Sequence, residues 1–97
     1  MGTGHLAFKV KKKTFAYYVF HHHGDDRVAL ECKAGPGENR RLVEDDPARF
    51  YIPPYIGAKG WVGVRLDQAR IEWPEIEYLV RAAYRLVAPA KLAAAVE

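Results

Sequence analysis

Apolar and polar positions alternate with period two through the first third of the chain. Leu6, Phe8 and Val10 fall on one side and Ala7 and Lys9 on the other, which predicts a strand. Lys11 to Lys13 predicts a turn although it contains no glycine, because the alternation restarts at Thr14. Thr14 to His22 is β-branched and aromatic on both sides, with Phe15, Tyr17 and Val19 against Ala16, Tyr18 and Phe20. A strand covered on both faces reads this way. His23-Gly24-Asp25-Asp26 predicts a hairpin turn. Arg27 to Lys33 then alternates, with Val28, Leu30 and Cys32 inward and Arg27, Ala29, Glu31 and Lys33 outward.

Ala34-Gly35-Pro36-Gly37 breaks the sheet, and a short helix over 38–45 follows, with Arg41 and Asp45 spaced to pair across one turn. Asp46-Pro47 ends it. Phe50 to Ile52 predicts a short strand and Pro53 to Gly57 a rigid loop. Gly60 to Asp67 alternates again, with Val62, Val64 and Leu66 inward and Trp61, Gly63 and Arg65 outward. A long helix starts at Pro74, which suits the first helical position. Its apolar stripe is Ile76, Leu79, Val80, Ala83, Leu86 and Val87, and Glu77, Arg81 and Arg85 step along the opposite side. Trp73 reads as a packing anchor beside it, and a last short helix is expected over 90–96. These elements make an α+β domain spanning 1–97. It has a mostly antiparallel sheet of about five strands, a short helix after strand 3, and a long C-terminal helix packed on one face.

With 97 residues, 49% of them apolar, the chain can bury a single core of roughly 60–65% of its unfolded surface. The apolar run at the C-terminus is interrupted by Pro89 and Lys91, so no membrane span is expected. The first residues lack a basic stretch followed by an apolar one, so no signal peptide is expected either, and the single cysteine fits a reducing cytoplasm. The lone Cys32 excludes an internal disulfide, and its place in the strand pattern predicts a buried, inert thiol.

The charge balance narrows the chemistry. Fifteen Lys and Arg against twelve Asp and Glu give a net charge of +3. The cations cluster: Lys11, Lys12 and Lys13 on one turn with Lys9 beside them, and Arg40 with Arg41 on the short helix. No serine is present and the only threonines are Thr3 and Thr14, so nucleophilic catalysis of the usual kinds is not expected and the chain reads as a non-enzyme. Asp25-Asp26 and Asp45-Asp46 sit in predicted turns or helix ends, where Asp has structural work to do. His21 and His23 share a strand face but lack further ligands at metal-site spacing, so no metal and no cofactor is predicted. Gly57-Ala58-Lys59-Gly60 is not a phosphate-binding P-loop, because a strand rather than a helix follows it.

Two roles remain open for the cationic turns. Lys11 to Lys13 is either a solubilising, guarded strand edge or a wing that touches backbone phosphates. Trp61 is either packed beneath the Lys59 loop or exposed to stack on a base. On the nucleic-acid reading the contacting residues are Lys11, Lys12, Lys13, Lys59, Trp61 and Arg65, with Lys33, Arg40 and Arg41 as a secondary patch. The alternative is a small-molecule or protein-partner module with an aromatic-lined pocket near Trp61, built from Tyr17, Tyr18, Phe20, Tyr51 and Tyr55.

Long stretches resemble the MmcQ/YjbR family. They include His5-x-x-Phe8, Lys13-Thr14-Phe15-Ala16, Leu30-Glu31-Cys32-Lys33-Ala34 and Asp46-Pro47-x-x-Phe50-Tyr51-x-Pro53-Pro54-Tyr55. The most telling are Gly57-x-Lys59-Gly60-Trp61-Val62-Gly63-Val64-x-Leu66-Asp67 and Tyr84-Arg85-Leu86-Val87-Ala88-Pro89-x-x-Leu92. The resemblance implies a fold related to the frataxin-like sandwich and a double-wing DNA-binding role. It maps the wings near Lys11 to Lys13 and near Lys59 to Trp61. Frataxin-like iron binding does not carry over, since this chain is basic and lacks an acidic first helix. Members of the family usually open with a helix before the first strand. Here the strand pattern begins almost at once, so either the start is truncated or the sheet face that helix covers is protected otherwise, as by a second copy in a homodimer.

Overall fold

The computed structural model describes residues 4–20, 28–67 and 71–95. The strands are β1 (Gly4–Val10), β2 (Lys13–Phe20), β3 (Val28–Lys33), β4 (Phe50–Tyr51) and β5 (Trp61–Arg65). The helices are α1 (Glu38–Asp45), α2 (Trp73–Val87) and α3 (Ala90–Ala94), with a 3-10 turn at Ile56–Lys59. The strands form one antiparallel sheet in the order β1-β2-β3-β5-β4. The expected hairpin tip at His23 to Asp26, with the His21–His23 tract and Arg27, lies outside the described residues.

One sheet face carries the core. Ala16, Leu30, Cys32, Val62, Val64 and Phe50 pack there against Leu42 of α1 and Ile76, Leu79 and Ala83 of α2. Arg49 pins the start of β4 to α2 through an ion pair with Glu75 and also reaches Asp46, so that Asp serves the fold. Within α1, Arg41 binds both Asp45, as its spacing predicts, and Glu38.

The opposite face is covered by its own aromatic side chains, which corrects the outward reading of alternate positions on β3 and β5. One register row runs Tyr17, Glu31, Gly63, Tyr51 across four strands. A Cβ on Gly63 would overlap the Tyr51 ring, so the missing side chain lets that ring lie flat across β5. Its hydroxyl then donates to Glu31 at 2.6 Å. Ala29, expected outward, is fully buried on this face.

Phe15 departs from its expected face as well. The β1–β2 register shifts between Phe8, opposite Ala16, and Lys9, opposite Thr14, leaving Phe15 as the extra residue of a β-bulge. The bulge turns Phe15 to the helix side, where its ring meets Tyr84 edge-on at 5.3 Å. Two expected packing positions are open to solvent. Trp73, the first residue of α2, is 61% exposed and outside the core, and Leu86 is half exposed.

Candidate functional site: a cationic end of the sheet

Antiparallel topology collects most of the predicted cations at one end of the sheet. The β1–β2 connection, the C-terminus of β3 and the N-terminus of β5 all point the same way. Lys11, Lys12 and Lys13 therefore share an end with Lys33 and Lys59.

The hairpin tip is tighter than the predicted three-residue turn. Val10 pairs with Lys13, so only Lys11 and Lys12 form the loop and Lys13 belongs to β2. Both loop residues have positive φ, 50° and 68°, as a type I′ turn requires. That conformation suits Asn-Gly and is strained for two lysines. β2 meets β3 only from Ala16 onward, so Lys13, Thr14 and Phe15 carry the ribbon beyond the sheet, by roughly 10 Å at 3.3 Å per residue. Lys9, Lys11, Lys12 and Lys13 are all exposed, and no carboxylate pairs with them among the described residues.

The second projection is the 3-10 turn ending at Lys59, also exposed. Gly60 follows with φ of 94° and bonds its carbonyl to the Ala34 amide at 3.1 Å, tying the turn to the end of β3. Asn39 holds it from the other side. Its side-chain amide donates to the carbonyls of Gly57 and Trp61, both at 3.0 Å, while its own oxygen accepts the Arg40 amide. Asn39 is buried, a role not among the expected site residues. The available signal was a polar residue three positions before Leu42, inside the stripe that α1 turns inward.

Three predicted contact residues do not join this surface. Trp61 is only 7% exposed and packs against Tyr17 with ring centroids 5.4 Å apart, so it supports the Lys59 loop from beneath and cannot stack on a base. Arg65 lies at the far end of β5, with Nε and Nη2 each 3.1 Å from the Asp67 carboxylate. Those bonds hold the Asp67 carboxyl below its usual range. Arg41 is committed to Glu38 and Asp45, and its bond to Glu38 likewise lowers the Glu38 carboxyl. Arg40, next to Asn39, is exposed.

The buried thiol of Cys32 is no candidate for chemistry. Burial, with a smaller contribution from the neighbouring Glu31 charge, pushes it up to about 12. A cleft of about 390 Å³ does exist, but it opens on the helix side, between the β3–α1 loop and α2, and Trp61 does not line it.

A family model described as YjbR matches residues 1–86. The chain belongs to the YjbR family. The match takes in the whole sheet and nearly all of α2, so both cationic projections lie inside the family region. Neither a curated protein nor a solved structure matches the chain at a significant level. No helix among the described residues is long and apolar enough to cross a membrane.

Proposed function

We propose that this YjbR-family chain is a cytoplasmic, non-enzymatic binding protein that grips DNA by its phosphate backbone, with two wings formed by the β1–β2 hairpin and the Lys59 turn. The observation that carries the reading is the overhanging tip with Lys11 and Lys12 in left-handed conformation. A tip selected only for folding would favour Asn-Gly there, whereas this one keeps two cations at a cost in backbone strain. Lys13 stands at the base of the same ribbon. Lys59 projects from a turn two strand positions away, on the order of 10 Å along the sheet. Lys33 and Arg40 flank this pair. Among the described residues no helix overhangs the sheet beside the lysines to read base edges, so the contacts go to backbone phosphates and sequence preference is low.

Binding of a short labelled duplex, followed by anisotropy over a salt series, tests the proposal. Four phosphate contacts give a log–log slope near −3.6. K11E/K12E should abolish binding at moderate salt, and R65Q should leave it unchanged. Unaltered affinity in K11E/K12E would sink the proposal.

Self-association belongs to the same reading. On the helix side of the sheet, α2 packs chiefly on β2 and β3, leaving Leu6 and Phe8 of the edge strand β1 at 57% and 44% exposure. A dimer joined there would present two sets of wings.

A further inference from the structure

The α2 wall of the cleft carries groups that the nucleic-acid reading does not use. One wall is the β3–α1 loop, with Lys33 at its rim, and the other is the α2 stripe of Tyr78, Leu79, Ala82, Arg85 and Leu86. Positions 78, 82 and 85–86 recur at helical spacing, so they form one continuous strip along the cleft. The strip is apolar through Leu79, Ala82 and Leu86, and Ala82 gives it depth in the middle.

Arg85 is half-buried, lines this space and has no ion-pair partner among the described residues, whereas Lys33 reaches the rim from a β3 position paired with Trp61 on the other sheet face. The carboxylate of this cleft, Glu38, already receives two bonds from Arg41. The space therefore holds one guanidinium without a partner among the described residues, over an apolar floor. A guanidinium presents a planar fork that suits a carboxylate. The volume lies within the range of small-molecule sites.

We propose that this cleft binds a small carboxylate with an apolar body, of the aryl or acyl carboxylate class. Arg85 takes the carboxylate, and Leu79, Ala82 and Leu86 take the body. Tyr78, largely exposed at the mouth, closes over the body's outer edge. The site is independent of the wings, because the hairpin tip contributes nothing to it.

The test is an amide NMR titration of the full chain with 1-naphthoate, alongside its uncharged analogue 1-naphthamide and inorganic phosphate. Naphthoate should shift the amides of Gly35, Ala82 and Leu86, and naphthamide and phosphate should each bind at least tenfold more weakly. R85Q, whose folding is checked from its unliganded spectrum, should weaken naphthoate at least tenfold. K33Q, on the other sheet face, should leave it unchanged. K11E/K12E should leave it unchanged, which separates this site from the DNA surface. Equal binding of naphthoate and naphthamide, or an unaffected R85Q, would overturn the anion role. Phosphate binding as tightly as naphthoate would overturn the apolar role, and silence of the cleft amides at millimolar naphthoate would overturn the site itself.

Discussion

The side-chain amide of Asn39 donates to the main-chain carbonyl of Trp61 at 3.0 Å, joining the first turn of α1 to the first residue of β5. The same amide takes the carbonyl of Gly57, so one buried side chain closes both ends of the turn that presents Lys59. Replacing Asn39 by Ala leaves two carbonyls without their donor, at a cost of about 2 kcal/mol. Urea unfolding should show that loss, and amide exchange at Lys59, Gly60 and Trp61 should accelerate. A change below roughly 0.5 kcal/mol would mean water replaces the amide fully.

At the hairpin tip, charge and backbone preference oppose one another. K11N/K12G supplies the residues a type I′ turn prefers and should stabilise the protein by about 1 kcal/mol. The same substitution removes two cations and should reduce the salt slope of DNA binding by about 1.8. Calorimetry reads the first effect and anisotropy the second. A destabilised variant would show that the lysines are not strained there.

Cys32 should be silent to a thiol reagent at pH 8 in the folded protein and react at once in guanidinium, because burial holds the thiol neutral up to about 12. The sign at high pH follows. Unfolding releases the thiol to an ordinary value near 9, so stability falls as pH rises above 9. C32A should remove that alkaline dependence. Labelling of the folded protein at pH 8 would contradict the burial.

Acid acts through Asp67 and Glu38. Both carboxyls are lowered by arginine bonds, so their stabilisation is complete above their unfolded values, near 3.8 and 4.5, and is lost as pH falls through the folded ones. Both groups are near the surface and the effect is modest. D67N should flatten the urea midpoint below about pH 4 relative to the parent. An identical acid limb in both proteins would assign the loss to other groups.

The exposed Leu6 and Phe8 stripe predicts self-association. Sedimentation velocity from micromolar to millimolar concentration should show a rising sedimentation coefficient. L6E/F8E, at exposed positions of an edge strand, should hold the protein monomeric while preserving its fold. A parent that stays monomeric at the highest concentration discards the dimer.

The elements themselves were readable because local chemistry marks them. Gly37 before α1 and Asp46-Pro47 after it bound the helix where the sequence placed it. Period two placed β2, β3 and β5 and their facing residues, but not what lies over each face. Trp61 looked outward because Val62 and Val64 look inward, yet Tyr17 and Tyr51 come from other strands to cover its side. Phe15 changed faces through a bulge that no local motif announces. At the site, the cations on turns were visible as a run of lysines. Their sorting into free and neutralised charges depended on partners such as Asp67 for Arg65 and Glu38 for Arg41, and spacing reveals only the helical pairs.

The two tryptophans occupy opposite environments, Trp61 sealed under a tyrosine and Trp73 open at the head of a helix. The protein thus carries two natural optical probes in separate places. Light emitted by Trp61 should be blue-shifted and shielded from ionic quenchers, and it would report on the ground beneath the Lys59 loop. Light from Trp73 should be red-shifted and quenchable, and it would report on the start of α2. A single W73F substitution leaves the chain with one lamp, set directly under the surface where DNA would arrive.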